Sequence, residues 1–146
     1  MSPTAVYLVL ALIAATTVVG LLWRGRQGTA ARRSRRTALV ITPADLGSDM
    51  NAGFGSRATL LQFSTEFCAS CPSTRRMLGA VADRLDGVTH VDVDLTHRGD
   101  LANKYGILQT PTTFILDGAG LLVARIGGSA RRDVVQHELE SIVSVH

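Results

Sequence analysis

Cysteine is scarce in this chain: the 146 residues contain only two, three positions apart. A small scaffold stapled by disulfides spreads several cysteines along a short sequence, so that architecture is excluded. A second Cys-x-x-Cys and a closely spaced histidine pair are missing as well. His90, His97, His137 and His146 are scattered, which leaves no ligand set for a structural zinc site. Neither a metal nor another cofactor is expected. Acidic residues are missing from the stretch in which Arg24, Arg26, Arg32, Arg33, Arg35 and Arg36 crowd together. The formal net charge is +3, so the rest of the chain is slightly acidic once these arginines are set aside. Nucleic acid binding uses a basic folded face with aromatic or groove-entering elements, and that pattern is not present. Nucleic acid is not expected as a partner.

Charge is also missing from Ala5 to Trp23, an apolar run close to the roughly 20 residues a helix needs to cross a bilayer. Tyr7 and Trp23 stand near its two ends, where amphipathic rings favour the headgroup level, and the arginines follow at once. A cleaved signal peptide would carry a basic start and a shorter apolar core, whereas Met1 to Thr4 has no basic side chain. A core helix would show a polar stripe, for which only Thr16 and Thr17 are available. The reading is a transmembrane helix over 4–23, a basic juxtamembrane linker over 24–37 and one folded domain over 38–146. Positive charge is retained on the cytoplasmic side, so the domain is expected to face the cytosol from a single-pass anchor in the cell membrane. The arginines are also drawn to anionic headgroups, at about 1 kcal/mol each near the surface.

The domain reads as α/β with a mixed sheet. Thr37 to Ile41 suggests a short strand, and 43–56 a glycine-containing loop with one helical turn. Ala58 to Ser64 is a short apolar strand. Thr74, Met77, Leu78, Val81 and Leu85 then recur at helical spacing until Gly87. Val91, Val93 and Leu95 alternate as a second strand, and Leu101 with Tyr105 marks a short helix ended by Gly106. Asp117-Gly118-Ala119-Gly120 joins two further strands as a hairpin, and Val135, Leu139 and Ile142 form a last amphipathic helix.

Phe67-Cys68-Ala69-Ser70-Cys71-Pro72 therefore places two thiols where a buried strand gives way to a helix. Unpaired N–H groups and the helix dipole favour negative charge there, and Cys-x-x-Cys motifs lower a thiol pKa from about 8.5 to about 3.5–7.5. Cys68, at the tip, is the expected nucleophile and Cys71 the resolving thiol. Pro72 suits a first helical turn, where an N–H would lack a partner in any case.

Over roughly residues 58–146 the sequence resembles the thioredoxin family. LLQFSTEFCASC matches the family's strand and WCxxC turn, with Phe67 in the aromatic position, and Leu108-Gln109-Thr110-Pro111-Thr112 matches its proline loop. With its leading apolar helix the whole is similar to small membrane-tethered thioredoxin-domain proteins of actinobacteria. The resemblance implies a thioredoxin-like fold, a central mixed sheet flanked by helices. It also implies a cis Thr110-Pro111 bond and a substrate surface of Phe67, Thr110, Pro111 and Gly127. Protein disulfides would be the substrates and an enzyme such as thioredoxin reductase the electron donor. The sequence departs from the family where a buried acid moves protons, for Gln62 stands there and cannot titrate. His90 matches the neighbouring lysine and is the side chain able to take over proton traffic, or else a strand histidine without a role. The expected function is a thiol-disulfide oxidoreductase that reduces or exchanges protein disulfides. The alternatives are an extracytoplasmic oxidase or cytochrome-maturation factor, and a non-catalytic thioredoxin-fold binding module.

Overall fold

The computed structural model describes residues 3–26, 30–32, 39–47 and 53–143. Helix α1 (Pro3–Arg26) leads the chain, and its stretch Thr4–Leu22 is long and apolar enough to cross a membrane. None of that stretch is buried against the domain, so α1 is not a core helix. The two threonines in its middle are satisfied within it: the Thr16 hydroxyl donates to Leu12 O at 2.9 Å and the Thr17 hydroxyl to Ile13 O at 2.8 Å. Neither of these mid-helix hydroxyls needs solvent, which suits a helix in lipid.

The domain contains β1 (Ala30–Arg32), α2 (Pro43–Leu46), β2 (Ala58–Ser64), α3 (Cys71–Ala82) and β3 (Val88–Asp94). These are followed by α4 (Gly99–Lys104), β4 (Thr112–Asp117), β5 (Leu122–Gly127) and α5 (Arg132–Val143). The strands form one mixed sheet in the order β1-β5-β4-β2-β3, in which only β2 and β3 run parallel. Every residue of β2 is buried, because strands flank it on both edges and helices cover both faces. That explains its nearly continuous apolar run.

Alternation along the strands supplies two cores. Leu61, Phe63, Val91, Val93, Phe114 and Leu116 face α2 and α4, where they meet Leu46, Leu101 and Tyr105. Phe63 packs edge-on against Phe114 at 5.0 Å between ring centroids, and Tyr105 closes the trio. On the other face Leu60, Val88, Ile115, Ala124 and Ile126 meet Leu78 and Val81 of α3 and Val135 and Leu139 of α5.

Three details differ from the sequence reading. Ala30–Arg32, inside the stretch read as linker, pairs antiparallel with β5 as an edge strand. The strand expected over Thr37 to Ile41 is reduced among its described residues to a single bridge, Val40 with Leu121; residues 37 and 38 lie outside the described residues. Helix α3 ends at Ala82, and 3₁₀-type bonds from Arg84 N to Val81 O and Leu85 N to Ala82 O turn Leu85 outward instead of into the core stripe. Gly87, at φ +76°, then redirects the chain into β3, and its carbonyl accepts from the N–H groups of Arg57 and Ala58.

Candidate functional site

The antiparallel register brings one end of the sheet together. Phe63, near the end of β2, stands opposite Thr112 at the start of β4, and Thr112 stands opposite Gly127 at the end of β5. The cysteine turn, the proline loop and Gly127, far apart in sequence, therefore converge.

After β2 the chain makes a tight turn in which Cys68 N donates to Thr65 O and Cys71 N to Cys68 O, both at 3.2 Å. Helix α3 begins at Cys71 with Pro72 in its first turn. The two sulfurs are joined in a disulfide, S–S 2.08 Å. Their surroundings differ, for Cys71 is 2% exposed whereas Cys68 is only partly buried. The Ser70 hydroxyl lies 4.0 Å from Cys68 Sγ, on the approach to the more accessible sulfur. Beside it Phe67 is 87% exposed, so the aromatic side chain covers nothing in the chain itself.

Across from the turn, the Thr110-Pro111 bond is cis, in agreement with the family resemblance. The hydroxyls of Thr110 and Thr65 lie 3.2 Å apart, a hydrogen bond that ties the proline loop to the root of the cysteine turn. Leu108 projects from this loop at 94% exposure. Gly127 sits under the Gln109 amide, and a Cβ there would come within 2.5 Å of Gln109 Nε2.

Beneath the dithiol, Gln62 is 0% exposed and donates from Nε2 to the Cys71 carbonyl at 3.1 Å. Its Oε1 stands 3.3 Å from His90 Nε2. His90 is thus linked to Cys71 through Gln62, but the link reaches the backbone oxygen and not the sulfur. Burial holds the His90 pKa below its ordinary value, with Asp92 and Asp83 opposing that shift and Arg75 adding to it. Arg75, one turn after Cys71, pairs with Asp92 on β3 and approaches the Ser64 hydroxyl at 3.5 Å. Among the described residues no cluster of His, Cys, Asp and Glu could hold a metal ion.

The sequence reading missed Thr65, Ser70, Arg75, Asp92, Leu108 and Gln109 at this end of the sheet. The positions of Ser70, between the cysteines, and of Leu108 and Gln109, beside Pro111, offered a signal; the others did not.

The thioredoxin family model matches residues 39–141, which is more than half of the chain. The chain belongs to the thioredoxin family. Solved structures agree on the fold. Thioredoxin from Trypanosoma brucei brucei is 22% identical with a TM-score of 0.55, covering 78% of this chain and 99% of its own. Thioredoxin from Fasciola hepatica is 21% identical with a TM-score of 0.54, covering 73% and 99%. A DsbF homologue from Corynebacterium diphtheriae is 18% identical with a TM-score of 0.54, covering 77% and 92%. No curated protein sequence matches the chain significantly. A thioredoxin domain whose Cys68 and Cys71 stand at disulfide distance is a thiol-disulfide oxidoreductase.

Proposed function

We propose that this protein is a membrane-anchored reductase or exchanger of protein disulfides in which Cys68 attacks and Cys71 resolves. The observation that carries this assignment is the unequal burial of the two sulfurs, with Cys68 reachable and Cys71 at 2% exposure. In the reduced chain the Cys68 thiolate, favoured by the N-terminus of α3, attacks one sulfur of a substrate disulfide and expels the other as a thiolate. Cys71 gives up its proton and attacks Cys68 Sγ, and the second substrate thiolate leaves. The substrate gains two electrons and two protons, and the chain is left with the Cys68–Cys71 disulfide. Phe67, Thr110, Pro111 and Gly127 form the surface on which an extended substrate lies. The shared position of the turn, the loop and Gly127 at one end of the sheet supports that role. His90 and Gln62 stand where proton traffic of the second step would pass. An NADPH-linked enzyme such as thioredoxin reductase fits as electron donor.

The anchor is α1, and the arginines that follow it favour a cytosolic domain. A cytosolic poise of about −220 to −320 mV keeps a typical family dithiol reduced, so reduction is the favoured direction. Two measurements test the proposal. In the insulin reduction assay with dithiothreitol, the parent chain should be active and the Cys68→Ser chain inactive, while Cys71→Ser should accumulate a mixed disulfide. An active Cys68→Ser chain would remove the nucleophile assignment. A partner bound equally well by the Cys68→Ala, Cys71→Ala chain would point to a docking module.

A further inference from the structure

The path of the chain from the anchor into the sheet carries a consequence for the substrate. Ala30, the first residue of β1, stands opposite Ile126, next to Gly127. Gly127 is opposite Thr112, and Thr112 is opposite Phe63 at the end of β2 that leads to Cys68. The chain therefore enters the sheet at the end that holds the dithiol, not at the opposite end.

The distances are short. Only residues 27 to 29 separate α1 from β1, a gap that spans at most about 14 Å when fully extended. Helix α1 continues past Leu22 to Arg26, which adds about 6 Å of rise above the apolar span. Strands β1 and β2 are three places apart in the sheet, about 14 Å along that same end. Ala30 is thus held within about 20 Å of the hydrocarbon core and the strand leading to the dithiol within about 34 Å, a radius that contains the headgroup layer, about 5–8 Å deep. Two large apolar side chains, Phe67 and Leu108, are bare at this end. Phe67 serves any extended substrate, and beside a membrane-embedded partner both side chains have further apolar surface to meet.

We infer that the substrate of this dithiol is a disulfide on an integral membrane protein, displayed at the headgroup level. The inference rests on the oxidoreductase reading and on α1 spanning the bilayer, and it holds for either side of the membrane. The electron balance is that of the proposed reaction: the partner's disulfide takes two electrons and two protons, and the dithiol of Cys68 and Cys71 becomes a disulfide.

The test uses the full chain in phosphatidylcholine and phosphatidylglycerol nanodiscs with dithiothreitol as reductant. The first probe is a synthetic transmembrane peptide, inserted in both orientations, with a disulfide at the headgroup level. The second carries the same disulfide on a helical spacer of about 30 residues, roughly 45 Å higher. The third is the disulfide peptide in solution. The headgroup-level probe should be reduced about ten-fold faster than the raised one, since only it shares the volume swept by the tethered dithiol. A helical spacer of the same length inserted between Gln27 and Gly28 should reverse that preference and leave the rate on the soluble peptide unchanged. Equal rates at the two heights for the unaltered chain overturn the inference, and continued reduction of the soluble peptide in that case leaves the oxidoreductase reading standing. Failure to reduce any of the three overturns both. If the insertion disturbs the fold, the soluble peptide reveals it, and the comparison of heights on the unaltered chain decides alone.

Discussion

Replacing Gln62 by leucine tests what the floor of the site contributes. The residue is 0% exposed, so no water can take the place of its amide. Leucine is close in volume and leaves little cavity, and the loss is confined to two hydrogen bonds, to the Cys71 carbonyl and to His90. Each contributes about 0.5–1.5 kcal/mol net. The Cys71 carbonyl retains its helical partner within α3 and His90 is not fully enclosed, so neither group is left wholly bare. The expected cost is about 2 kcal/mol, close to 8 °C in Tm for a domain of about 100 residues. Differential scanning calorimetry of the full chain in detergent, with the disulfide intact, reads it directly. Gln62→Glu separates hydrogen bonding from charge. A neutral glutamic acid can donate to the Cys71 carbonyl and accept from His90, as the amide does. Burial raises a carboxyl pKa in the folded state, so this variant's stability is present below the unfolded value of about 4.3 and is lost as pH rises through the folded value. A leucine variant that melts within about 2 °C of the parent would refute the reasoning, as would a glutamate variant with the parent's pH profile between pH 4 and 8.

Burial holds the folded His90 pKa below 6.5, so the unfolded chain takes up this proton first. The contribution to stability is complete above pH 6.5 and is lost as pH falls from there toward the folded value. His90→Asn should therefore flatten the melting temperature between pH 7.5 and 5.5 relative to the parent, and parallel curves would count against a buried neutral imidazole. Gly127→Ala should cost under about 1 kcal/mol, because its Cβ meets only the far end of the flexible Gln109 side chain. It should still lower kcat/KM for peptide disulfides by displacing that amide, and Gln109→Ala should relieve the effect in a double-mutant cycle. Alkaline phosphatase fused after His146 should be inactive and a cytosol-folding fluorescent protein bright; the opposite pair would place the domain outside and favour an oxidase or maturation factor.

The parts of the fold legible in the sequence are those in which side chains report burial. Ala58–Ser64 reads as a strand because both of its faces are covered, and Val135 and Leu139 mark α5 because one stripe alone meets the sheet. Asp117 announces the hairpin because its carboxylate accepts from Ala119 N and Leu121 N, a local interaction. β1 was not legible. Its pairing with β5 is made by the backbone, and a sequence of two alanines and an arginine carries no pattern to reveal it. The same division holds in the site. Cys68, Cys71 and Pro111 were legible from spacing and chain resemblance, whereas the pairing of Thr65 with Thr110 spans 45 residues and arises only from the register of β2 with β4. Gln62 was legible as a departure from the family, but not its donation to the Cys71 carbonyl, which depends on how α3 sits over β2.

β1 also decides how the domain can be cut from α1. With Ala30–Arg32 in place, β5 is an inner strand, and β1 forms the edge of the sheet. A fragment begun at residue 38 would remove that cover and leave the ladder of β5 open from Ala124 to Ile126, a template for pairing with a second copy. A fragment begun at Gln27 keeps β1, an edge of only three residues. Three residues of the stretch between α1 and the rest of the domain thus cover the ladder of β5 as well as connecting the two.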